Sequence, residues 1–164
     1  MAELINEIFS ITPLNWSGIL STLIAGAIVG FERQYMGKPV GMRTSMLICT
    51  GTYTFVVVSN SVSGTMTDPS RIIGQIVTGI GFLGAGVILT KDGIVVGVTS
   101  ASAIWVLSAI GILIGSGFYY TGIKIAILTV IILIGIDVIE YFFGSMAKGV
   151  YKKRPRIFKK FSGD

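Results

Sequence analysis

Long apolar runs separated by short polar stretches occupy this chain from Leu14 to Phe143. A helix of roughly 20 apolar residues crosses the ~30 Å hydrocarbon core of a bilayer. Five segments qualify: Leu14–Phe31, Thr44–Val62, Arg71–Thr90, Thr99–Tyr120 and Gly122–Phe143. The pattern predicts an all-α integral membrane protein, a compact bundle of five transmembrane helices. Short loops make sequential helices neighbours. Residues 1–147 form the predicted five-helix domain and residues 148–164 a basic tail.

The runs differ in character. The second carries many hydroxyls and suits lipid poorly, and the third and fourth are rich in Gly, Ser and Ala. Helices two, three and four are therefore expected at the packed centre. The Ile-rich fifth suits a lipid-facing position. Trp16, Tyr119, Tyr120 and Tyr141 fall near span ends, where amphipathic rings meet the headgroups.

Small residues recur four apart. Gly18, Thr22, Gly26 and Gly30 form a ridge on the first span, and Gly111 and Gly115 another on the fourth. Such faces let helices approach closely. Their abundance exceeds the needs of five helices and predicts a homodimer. The third span reads Gly79-x-Gly81-x-x-Gly84-x-Gly86. This matches the dinucleotide fingerprint in letters only. A preceding strand, an amphipathic following helix and a later acidic residue are required there, and both flanks here are membrane-apolar. Two readings stay open: a smooth face for close packing, or a locally broken helix whose freed backbone lines a cavity.

Composition agrees with a membrane protein. The chain is 52% hydrophobic and 13% charged, with 22 glycines. It has no histidine, which removes Ser-His triads, His-based zinc sites and His proton relays. A single cysteine, Cys49, removes an internal disulfide and reads as a packing residue. Nucleophile–base pairs are missing, so no enzymatic activity or cofactor is expected. Glu3 and Glu7 stand where a cleaved signal would be basic, so the first run is expected to remain as a span.

Charge sets the expected orientation. Arg33, Lys38 and Arg43 lie in the first loop, and seven of the 13 basic residues lie between Lys148 and Lys160. Five spans put loop and tail on one side, the cytoplasm, with the N-terminus outside. The net charge of +5 is mostly this tail. It predicts contact with anionic lipid or an acidic partner rather than nucleic acid.

Charged residues near the bilayer are candidate sites. Asp137 falls within the hydrocarbon of the fifth span and shares a helix face with Glu140. An intramembrane acid must find a partner or protonate, and Arg33 or Arg43 is the expected partner. With Glu32, these acids are the candidate ion ligands, magnesium being the cation considered. Arg71, Gln75 and Thr78 make a polar stripe on the third span, and Asp68 and Arg71 could pair at its start.

Together these segments resemble the MgtC/SapB family of membrane proteins. The resemblance is carried by Gly26-Ala-Ile-Val-Gly30-Phe-Glu32-Arg33-Gln34 with Gly41-Met-Arg43-Thr44. Asp68-x-x-Arg71-x-x-x-Gln75 through Gly79, Gly81, Gly84 and Gly86 follows, then Val98-Thr99 through Trp105, Gly111, Gly115 and Tyr119. It implies a five-helix bacterial inner-membrane module, and family roles at Glu32, Arg33, Arg43, Asp68, Arg71, Gln75 and Thr99. It also implies a link to growth in low magnesium and survival inside host cells. One well-studied type acts on the F-type ATP synthase. Virulence-type members add a soluble ACT-like domain, and a short form lacking it is expected here. The expected function is a regulatory or interaction module of the inner membrane. The alternative is a magnesium or proton path lined by the third span and the intramembrane carboxylates.

Overall fold

The computed structural model describes residues 1, 9–62, 68–91 and 94–142. Five helices follow in order: α1 (Trp16–Tyr35), α2 (Met42–Val62), α3 (Pro69–Ala85), α4 (Val98–Gly115) and α5 (Tyr119–Phe142). A small antiparallel hairpin, β1 (Leu89–Lys91) with β2 (Ile94–Val96), joins α3 to α4. By length and composition α2, α4 and α5 can cross a membrane, and the apolar part of α3 is shorter.

The hairpin corrects the expected third span, which ends at Ala85 rather than Thr90. Its register pairs Leu89 with Val96, Thr90 with Val95 and Lys91 with Ile94. The sequence between the strands is Asp92-Gly93, a strong short-range hairpin signal in sequence. Gly97 then opens α4 at φ +94, and a Cβ there would lie 2.0 Å from the Val87 carbonyl oxygen. Only glycine fits that close left-handed turn.

Helix α2 is the centre of the bundle, clasped between α1 and α4. Bare Cα positions on both neighbours make this possible. A Cβ on Gly26 would stand 2.6 Å from Met46 Cα, and one on Gly30 2.5 Å from Met42 Cα. On the other side a Cβ on Gly111 would meet the Cys49 carbonyl oxygen at 2.7 Å, and one on Gly115 the Val56 Cβ at 2.7 Å. Backbones here are in contact, as small-residue faces allow in lipid. Both predicted ridges are therefore filled by α2 of the same chain, and they supply no spare surface for a dimer.

The expected centre of helices two, three and four is corrected by this arrangement. Helix α1 takes the place assigned to α3, because α1 carries the glycine ridge that α2 needs. Helix α3 lies at the edge, touching the core chiefly through buried Ile80 and through Gly84 against Ala101. It is unbroken from Pro69 to Ala85, so the broken-helix reading falls. Helix α5 packs through Ala126, Thr129 and Gly122 and leaves Ile127, Leu128, Ile131, Ile132 and Ile136 outward, as a lipid-facing helix should.

The glycine clasp predicts a sharp contrast. Gly26→Ala should destabilise by about 1–3 kcal/mol, because the added methyl overpacks against backbone that cannot yield. Gly135→Ala, with nothing within 4 Å of the added Cβ, should be neutral or slightly stabilising. Thermal unfolding of the two variants in detergent checks this.

Candidate functional site

Polar groups collect at the two ends of the bundle and on one face of α3. At the first end, Asn15 caps α1 by accepting the Gly18 N–H at 2.6 Å. Its own N–H donates to the Tyr53 hydroxyl at 3.0 Å, and its Nδ2 donates to the Tyr119 hydroxyl at 2.8 Å. Tyr53 is fully buried and donates back to the Asn15 carbonyl at 3.3 Å. One asparagine thus ties the starts of α1 and α5 to the middle of α2. This knot lies outside the candidate sites expected from sequence. Its signal was Asn15 at a helix start, paired with a tyrosine inside a hydroxyl-rich span.

At the opposite end Glu32 and Arg33 form a buried ion pair, 4% and 3% exposed. Arg33 Nε donates to Glu32 Oε2, and Nη2 donates to Oε1 at 2.6 Å. Neighbouring residues on a helix point about 100° apart, so they do not ordinarily face each other. The long arginine stem turns back and closes a two-pronged bond on its own neighbour. Lys38 N–H donates to the Arg33 carbonyl at 2.8 Å where the chain leaves α1. The loop then passes through Val40 at φ +69, a rare backbone region for a β-branched residue. The Val40 carbonyl accepts the buried Ser45 hydroxyl at 3.2 Å.

Asp137 lies toward the end of α5, as this pair lies toward the end of α1. Helices α1 and α5 start together at the Asn15–Tyr119 bond. Arg33 and Asp137 are each 18 residues further along their helices, about 27 Å at ~1.5 Å per residue. Arg33, which with Arg43 is an expected partner of Asp137, is engaged by Glu32. Asp137 is half-buried and holds an interaction of its own. Arg43 and Thr99 are exposed. The side chain of Glu140 and the basic tail lie outside the described residues. No group of three His, Cys, Asp or Glu that could hold a metal occurs among the described residues.

Helix α3 presents the third feature. Asp68 caps it, accepting the Ser70 N–H at 2.9 Å and the Ser70 hydroxyl at 2.8 Å. These bonds, with the nearby positive charge of Arg71, hold the Asp68 carboxyl below its ordinary value. The expected Asp68–Arg71 pair is thus a long-range attraction, and Ser70 is the direct partner. Beyond the cap, Arg71, Gln75 and Thr78 all point away from the bundle, and so do Gly74, Gly79 and Gly81. A Cβ on any of these three glycines would meet nothing within 4 Å. Of Gly79, Gly81, Gly84 and Gly86, Gly84 alone packs on another helix, while Gly86 nears only carbonyls of its own turn. Gly79 and Gly81 therefore bring no helices of this chain together.

A family profile described as the MgtC family matches residues 19–142. "Putative magnesium transporter YhiD" of Escherichia coli (strain K12) is 46% identical over 122 residues, covering 70% of this chain and 56% of its own. Protein MgtC of Brucella abortus (strain 2308) is 42% identical over 99 residues, 60% of this chain and 41% of its own. Protein MgtC of Salmonella typhimurium (strain 14028s / SGSC 2262) is 37% identical over 110 residues, covering 67% and 47%. The chain spans about half the length of these relatives. No solved structure matches.

Two expectations come from the charged groups. Removing one member of the buried pair strands a charge, so Glu32→Leu or Arg33→Met alone should cost about 3–5 kcal/mol, and the double variant much less than their sum. A double-mutant cycle on unfolding in detergent measures the coupling. Asp68 is a depressed carboxylate, so its stabilisation is complete above the ordinary value of 3.8 and disappears as pH falls through the lowered one. The melting-temperature gap between the natural protein and Asp68→Ala should be constant from pH 8 to pH 5 and shrink in stronger acid.

Proposed function

Because the chain belongs to the MgtC family, we propose that it is a regulatory or interaction module of the bacterial cytoplasmic membrane, engaged in adaptation to magnesium limitation or stress. It works by helix–helix contact through α3. One observation carries this reading: the polar and glycine-bearing face of α3 is turned away from its own bundle. A lipid tail offers Gln75 and Thr78 no hydrogen bond, whereas another membrane helix does. The first loop and basic tail face the cytoplasm, and the tail rests on anionic lipid.

The magnesium transporter in the name of the Escherichia coli relative gives a second reading. Its support here is that Glu32 and Asp137 lie toward the ends of α1 and α5, two helices that start together. Magnesium is usually held by one or two carboxylates plus waters, and Glu32 with Asp137 would be those carboxylates. Against it, the polar stripe of α3 lines no path inside this bundle, and Glu32 is closed by Arg33.

The two separate in liposomes. The purified protein should move neither magnesium nor protons faster than protein-free vesicles. Flux that disappears in Glu32→Gln or Asp137→Asn would establish transport and overturn the interaction reading. In cells, Gly81→Ile should abolish rescue of growth in low magnesium while leaving the melting temperature unchanged, since its side chain meets nothing within the bundle.

A further inference from the structure

We propose that a crevice between α2, α3 and α4 seats one acyl chain of a glycerophospholipid, with the lipid's ester carbonyls on the polar rim. The crevice has a volume of about 40 Å³. Ser59, Asn60 and Ser116 give it polar walls, and Val56, Ile72 and Ile73 apolar ones. It opens because α3 is held through one half only. Gly84 lies against Ala101 of α4, and Ile80 is buried, both in the second half of the helix. Among the described residues, the side-chain hydrogen bonds of α3 and its cap stay local, Asp68 with Ser70 and Thr78 with Gly74. No polar pin among those residues draws its first half onto α2.

Depth, polarity and size identify the occupant. Asn60 stands two residues before the end of α2 and Ser116 caps the end of α4, so both lie within about 3 Å of the helix ends. Both are exposed. Val56 lies six residues before the end of α2, about 9 Å deeper along the axis, and is 4% exposed. Ile72 and Ile73 lie about 4.5–6 Å inside the start of α3. The crevice thus runs from polar at the bilayer boundary to apolar below it, the order of ester oxygens and methylenes in a phospholipid. The Asn60 amide and the Ser116 hydroxyl donate hydrogen bonds, and ester carbonyls accept them. Water serves the rim but gives Val56, Ile72 and Ile73 nothing, and a void there forfeits their dispersion contacts. At ~10–15 Å³ for each water-sized group, the crevice admits about three. That suits the first methylenes of one chain and excludes a helix about 10–12 Å across. The seated chain is a wedge between α2 and the first half of α3, and it sets the angle at which α3 leaves the bundle.

The test is titration of the full chain, stripped of lipid in detergent, with dioleoyl phosphatidylcholine. Native mass spectrometry counts the lipid retained, and thermal unfolding reads its binding, since a ligand of the folded state raises the melting temperature. One lipid per chain should be retained at limiting lipid, and the melting temperature should rise with lipid concentration. Ile73→Trp fills the crevice and Asn60→Leu removes a rim donor. Each should weaken lipid binding about threefold to tenfold. Ile131→Trp, on the outward side of α5, should leave it unchanged. Circular dichroism separates loss of lipid from loss of fold, and Ser116→Ala offers a milder change at the rim. Glycerophosphocholine, which has the headgroup but no chains, should not bind. No lipid retained by the natural chain would overturn the proposal. So would undiminished binding in folded Ile73→Trp and Asn60→Leu, equal weakening in Ile131→Trp, or binding of glycerophosphocholine as tight as that of the lipid.

Discussion

Contact between backbones holds this bundle together. In lipid the tails are as apolar as leucine, so helices gain little by hiding apolar side chains from them. Association must come from dispersion at short range, which falls steeply with any gap. The clasp of α2 by Gly26 and Gly30 on one side and Gly111 and Gly115 on the other supplies that close approach. Everything else is placed by it. Helix α5 leans on the outside of α1 and α4, and α3 is left to the edge because no glycine column of the bundle faces it.

The polar groups act as pins at the ends of this clasp. Asn15 with the tyrosine hydroxyls fixes one end, and the Glu32–Arg33 pair fixes the other. Buried hydroxyls lie between them: Thr22 meets Thr50 at 3.1 Å, and Ser45 bonds back to its own loop. Hydrogen bonds of this kind add modestly to affinity between helices, but each fixes a sliding register along otherwise smooth surfaces. A core of Gly, Ser and Thr needs such markers more than a core of interlocking leucines does.

Much of this was legible in the sequence, and the failures share a cause. Hydropathy located all five helices, and residue chemistry identified α5 as lipid-facing. The ridges on α1 and α4 were visible at their four-residue spacing, but a small side chain does not say which neighbour will use the room it leaves. That is why α2, rather than another copy, turned out to fill them. The hairpin after α3 was hidden because Val87, Ile88 and Leu89 continue the apolar run, although Asp92-Gly93 marked it. The Glu32–Arg33 bond was invisible to helix-face reasoning, which places adjacent residues apart and ignores how far an arginine can fold back. Helix α3 was misplaced for a related reason. Its amphipathic pattern is plain, but in a membrane such a pattern does not tell inside from outside.

The early end of α3 sets a thickness. Its 17 residues span about 25 Å, against a hydrocarbon core of ~30 Å. The exposed Leu89, Ile94 and Val95 of the hairpin continue the apolar surface on that side. Any length the hairpin does not make up falls on the lipid, at a cost of fractions of a kcal/mol per Å of mismatch. The perimeter of the protein is therefore uneven, short along α3 and long along α5. Lateral gathering of short edges reduces the length of deformed bilayer, and membrane thickness becomes a variable that acts on this protein before any partner is met.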